Sequence, residues 1–86
     1  MKKKIKVGII GGGQLGMMLA EASSKLNIVP LVYSNTKDSP ASKVAKTYYG
    51  DFNDDKKIRK FISKVDLITY EFENIPTSSL KMRWLG

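Results

Sequence analysis

The 86-residue sequence has no cysteine and no histidine. Without cysteine there is no disulfide framework and no thiolate chemistry, and without histidine as well a typical zinc site is not expected. The missing thiols fit a cytoplasmic protein. Long apolar runs are also missing: none approaches the roughly 20 residues of a membrane span. Lys2, Lys3 and Lys4 followed by Val7-Gly8-Ile9-Ile10 have the outline of a signal peptide. The apolar stretch then breaks into glycines and Gln14 before an apolar region of the required length forms, so secretion is not expected.

Acidic residues are few, 8 against 15 lysines and arginines, for a net charge of +7. Lys2, Lys3, Lys4 and Lys6 carry four of those charges and Lys81 and Arg83 two more, which leaves residues 7–80 at +1. The excess sits in the two ends rather than on a basic face, and nucleic-acid binding is not expected.

What is present is one small soluble domain, 42% apolar, near the lower limit for a self-sufficient core. Residues 5–10 form a β-branched run suited to a strand buried on both faces. Leu15, Met18, Leu19, Ala22 and Leu26 recur at helical spacing and predict one apolar stripe, with Asn27 as the helix stop. Residues 28–33 predict a second strand, weakened by Pro30, which has no N–H for a ladder. Asp38-Ser39-Pro40-Ala41 predicts the start of a short helix ending near Ala45, capped by Asp38 or Ser39. Thr47-Tyr48-Tyr49 reads as a brief third strand, and Asn53 or Asp54 caps a helix whose buried stripe is Ile58, Phe61, Ile62 and Val65. Residues 66–70 are the fourth strand. The expected fold is therefore α/β: a parallel sheet of about four strands with helices on both faces.

Two motifs carry chemistry. Gly11-Gly12-Gly13-Gln14-Leu15-Gly16 has the glycine spacing of a phosphate-binding turn between a strand and a helix. Glycines there let backbone N–H groups approach an anion at the helix N-terminus. Tyr70-Glu71-Phe72-Glu73-Asn74-Ile75-Pro76 follows the apolar run Leu67-Ile68-Thr69, at the strand end where open α/β sheets hold ligands. Glu71 and Glu73, two apart, point the same way in extended backbone and suit an amine or a shared metal. Together the motifs suggest a phosphorylated, amine-bearing ligand. A dinucleotide-binding fold wants an acid at the end of its second strand, where this chain has Ser34-Asn35 and no acid before Asp38.

These motifs together with Asp38-Ser39-Pro40-Ala41 resemble the N-terminal domain of the N5-carboxyaminoimidazole ribonucleotide synthetase family of the ATP-grasp superfamily. The resemblance covers residues 4 to about 80 and implies a Rossmann-like (pre-ATP-grasp) domain over residues 1–80, with an atypical tail over 81–86. It further implies a purine-biosynthesis ligase that joins bicarbonate to 5-aminoimidazole ribonucleotide using ATP and magnesium, and a homo-oligomer. By the same resemblance Gln14, Leu15 and Glu71 match substrate-contacting positions; the residues themselves add Gly13 in the anion cradle of the turn and Glu73 as the second acid of the pair. Met17 stands where the family commonly has arginine. The ATP-grasp portion is absent, so the chain reads as a fragment that is inactive alone and binds neither ATP nor magnesium. Two other readings are a nicotinamide-dependent oxidoreductase domain and a non-enzymatic phosphometabolite-binding or interaction module.

Overall fold

The computed structural model describes residues 4–70. Four strands, β1 (Lys6–Ile10), β2 (Val29–Ser34), β3 (Lys46–Tyr49) and β4 (Leu67–Tyr70), form one parallel sheet in the order β3-β2-β1-β4. Helix α1 (Gln14–Lys25) joins β1 to β2, a single 3-10 turn at Pro40–Lys43 precedes β3, and α2 (Asp55–Ile62) leads into β4. Among the described residues no helix is long and apolar enough to cross a membrane.

The strand pleat sorts the core into two layers. Ile9 and Val32 are register partners on one face, where they pack with Ala20 and Ala41. Ile10 and Tyr33, the next pair, face the other way onto Ile58 and Phe61 of α2. The Tyr33 ring lies 5.6 Å from Phe61 and 5.9 Å from Phe52, in tilted contacts typical of packed aromatics. Helical cover on both faces, as the sequence predicts, is the reason the central strands β1 and β2 can be largely apolar.

Pro30 is accommodated by strand order. The Val29 N–H donates to the Ile5 carbonyl, so the next residue turns its nitrogen away from β1. On that side the β3 ladder begins only at Leu31 with Lys46, and the missing donor has no partner to lose. Asn27 ends α1 as expected: it has φ 64°, and Ile28 N–H reaches Ser23 carbonyl at 2.9 Å while Asn27 N–H reaches Ser24 carbonyl at 3.1 Å, the paired bonds of a left-handed helix stop. Asp54, one of the two expected caps of α2, accepts from Lys57 N–H at 3.1 Å.

Two expectations are corrected. The stripe of α1 is rotated: Gly16 and Ala20 are buried, whereas Leu15, Met18, Ala22 and Leu26 are exposed, and of the expected stripe Leu19 alone packs on the core. The cause is the distance between helix and sheet. A Cβ on Gly16 would run into the Gly11 carbonyl oxygen, so the helix lies too close to β1 for a large residue to face inward. The segment at Pro40 is a 3-10 turn through Lys43 rather than a helix to Ala45; Ser39 holds its N-cap position without a side-chain cap bond.

Candidate functional site

The carboxyl ends of β1 and β2 and the N-terminus of α1 meet at the glycine turn. Gly11 leaves β1 with φ 121°, a left-handed value that glycine adopts freely, and its N–H donates to the Tyr33 carbonyl at 2.8 Å. Gly12 is buried, and its carbonyl accepts the Ala41 N–H at 3.0 Å, which stitches the 3-10 turn to the glycine turn. Gly13 is the N-cap of α1 in extended conformation, and its carbonyl accepts the Met17 N–H at 2.9 Å.

The first N–H groups of a helix have no intrahelical acceptor. At α1 the N-cap residue Gly13 supplies no side-chain cap bond, and no acid occupies the first turn. The N-terminus of a helix of 12 residues offers backbone N–H groups and the positive end of its dipole, an arrangement that favours an anion. Gln14 and Leu15, both exposed, flank those groups on the outer side, with Leu15 at 55% exposure. Three of the five sequence-predicted site residues, Gly13, Gln14 and Leu15, are thus consecutive at one helix end. Glu71 and Glu73 lie outside the described residues. The register does place Tyr70, the last residue of β4, beside Ile10, immediately before the turn.

Two buried hydroxyls beneath the turn escaped the sequence reading. A Cβ on Gly12 would come within 2.8 Å of Ser34 Oγ and 2.7 Å of Ser39 Oγ, so both side chains press on the turn backbone. Ser34 Oγ is engaged locally: it accepts the Thr36 N–H at 3.1 Å and donates to the Thr36 carbonyl at 3.1 Å. Ser39, 3% exposed, has no hydrogen-bond partner for its hydroxyl among the described residues. The sequence signal is Ser39-Pro40-Ala41 itself, whose pattern predicts a helix start and does not reveal a wall of the turn. A buried hydroxyl without a partner costs about 1–3 kcal/mol. Ser39→Ala is therefore expected to raise stability by about 1 kcal/mol in urea denaturation; a loss of stability would show that the hydroxyl has a partner in the folded protein.

Ser34 closes β2 where a dinucleotide-binding domain would hold a ribose with an acid, and the next acid, Asp38, is exposed. Among the described residues no group of three or more histidine, cysteine, aspartate or glutamate side chains could hold a metal. The arrangement suits a phosphorylated ligand held by backbone donors. The family model of the ribonucleotide synthetase pre-ATP-grasp domain matches residues 2–84.

The chain belongs to that family.

This ribonucleotide synthetase pre-ATP-grasp domain is 44% identical over 80 residues to the N5-carboxyaminoimidazole ribonucleotide synthase of Bacillus subtilis (strain 168), a match that covers 92% of this chain and 20% of that protein. The crystal structure of N5-carboxyaminoimidazole synthetase from Staphylococcus aureus superposes with a TM-score of 0.91 at 37% identity, over 99% of this chain and 23% of the other. The Staphylococcus aureus enzyme complexed with ADP superposes with a TM-score of 0.87 at 39% identity, over 94% of this chain and 22% of the other. The pre-ATP-grasp domain thus spans about a fifth of the length of the curated relatives it matches.

Proposed function

We propose that this domain holds the ribonucleotide substrate of an ATP-dependent ligase of purine biosynthesis that joins bicarbonate to 5-aminoimidazole ribonucleotide. The observation that carries the reading is the glycine-opened N-terminus of α1, with no acid in its first turn, in a chain of this family. Backbone N–H groups suit an anionic phosphate ester, and the Gln14 amide can read neutral polar groups beside it. Glu71 follows Tyr70 directly, and a carboxylate there suits the amino group of the imidazole, orienting it for carboxylation; Glu73 is the supporting acid. Both assignments rest on the sequence pattern and the family.

In this proposal the domain occupies residues 1–80, with 81–86 a tail, and acts within a longer, cytoplasmic, homo-oligomeric enzyme. ATP and magnesium belong to the ATP-grasp portion, where they supply the activation of bicarbonate; the Staphylococcus aureus relative complexed with ADP supports nucleotide use in the family. The 86-residue chain alone is then inactive, and release of phosphate from ATP by the pure chain would overturn that part.

The acids are tested by calorimetric titration of 5-aminoimidazole ribonucleotide into the enzyme that contains this domain. Glu71→Gln keeps shape and removes charge, so affinity should fall roughly ten- to a hundredfold, the worth of a charge-assisted hydrogen bond. Glu73→Gln should matter less. A reversed order would exchange the two roles, and parent-like affinity in both variants would end the substrate-site reading of this segment.

A further inference from the structure

We propose that the groove between α2 and the β3 edge of the sheet is a second ligand site, separate from the glycine turn, that takes a molecule bearing several linked phosphates. The groove encloses a cavity of about 300 Å³, the lower end of the range of small-molecule sites. Tyr33 and Phe61 form its floor, and Tyr48, Tyr49, Lys57, Lys60 and Lys64 line it. Lys57 and Lys60 are three residues apart on α2, neighbours on one helix face, and Lys64 follows from the turn that closes the helix. Lys46 joins them from β3: its Nζ lies 5.5 Å from the Tyr48 ring centroid, and Lys64 Nζ lies 5.6 Å from the same ring.

Residues 7–80 carry a net charge of only +1, yet four of their nine basic side chains gather at this groove. None of the four ammonium groups is paired with a carboxylate among the described residues; the neighbouring ion pair on α2 is Arg59 with Asp55. Among the described residues the carboxylates whose charge reaches Tyr33 are Asp51 and Asp54; the first accepts the Asn53 N–H and the second caps α2. Opposite charge therefore does not neutralise the run from Lys60 to Lys64 and Lys46. A single phosphate could meet one or two of these ammonium groups, whereas a phosphate chain lying along α2 meets them in succession.

The test is an NMR titration of the 86-residue chain with inorganic triphosphate at low salt, following backbone amide signals, with ATP in a parallel titration. Saturable shifts at Tyr48, Tyr49, Lys57, Lys60 and Lys64, half-complete below about 1 mM, are expected. Equal affinity for both probes supports recognition of the phosphate chain alone, and tighter ATP binding supports a nucleotide. Lys60 and Lys64 are exposed, so Lys60→Glu with Lys64→Glu should keep the parent's fold and lower the affinity at least tenfold. Absence of saturable shifts, shifts confined to the α1 N-terminus, or unchanged affinity in the double variant would each overturn the proposal. Tighter binding of a short RNA than of either probe would overturn it in favour of a nucleic-acid surface.

Discussion

Gly16→Ala is expected to be among the most damaging single-methyl changes in this domain, although it places the best helix former in a helix. Elsewhere in a helix interior that exchange gains about 1 kcal/mol. Here the added Cβ would overlap the Gly11 carbonyl oxygen, lie 3.2 Å from its carbon, and touch Ile9 Cγ2 at 3.7 Å. Gly11 cannot yield easily, because its N–H is tied to the Tyr33 carbonyl and its own φ is 121°. Helix α1 must then lift from β1, loosening the contacts of Ala20 with Ile9 and Val32. Overpacking of this kind costs about 1–3 kcal/mol and more where backbone must move, so a net loss of about 2–4 kcal/mol is expected in urea denaturation. Ser24→Ala, on the exposed side of the same helix, should change stability by less than about 0.5 kcal/mol. Parent-like stability of Gly16→Ala would show that helix and strand do not meet this closely.

The second large effect is alkaline. Tyr33 is 1% exposed, and its hydroxyl donates to the Asp51 carbonyl at 2.9 Å. Burial first, then the negative charges of Asp54 and Asp51, push its pKa from 10.0 up to about 12. The folded state thus holds this proton more tightly than the unfolded chain does. The stability it contributes is complete below pH 10.0 and is lost as pH rises toward about 12. At about 1.4 kcal/mol per unit, roughly 2–3 kcal/mol should disappear across that window. Tyr33→Phe should start lower by about 1 kcal/mol for the lost hydrogen bond, and then show a shallower decline from pH 10 to 12. Urea midpoints of both proteins across this range decide it; parallel declines would remove Tyr33 as the cause.

The sequence was legible where periodicity and burial agree. Ile58, Phe61, Ile62 and Val65 are large residues at helical spacing, and α2 turns that side inward. Alternation of Ile9 and Ile10 between the two faces follows from the strand pleat alone. In α1 the same logic misleads, because the glycine turn brings helix and strand into backbone contact. Small residues then occupy the contact, and the large apolar ones are left outside. Of the candidate site, Gly13, Gln14 and Leu15 were readable because a glycine turn between strand and helix fixes where the helix begins. Ser34 and Ser39 were not, since two hydroxyls five residues apart meet under Gly12 only after β2 and the 3-10 turn have folded together. The lysine groove was hidden by summing charge along the chain: Lys46 and Lys64 are distant in sequence, and a shared Tyr48 ring makes them neighbours.

The central claim is that the α1 N-terminus receives the ribonucleotide. It is tested most directly by adding 5-aminoimidazole ribonucleotide to the 86-residue chain and following the backbone amides of Gly13, Gln14 and Leu15 by NMR. The account predicts saturable shifts at these three residues, weaker ones for the dephosphorylated nucleoside, and none in a folded Gly13→Val variant, whose branched side chain intrudes where the anion must approach. Shifts that spare these amides, their absence in the parent, or equal binding by Gly13→Val would contradict it.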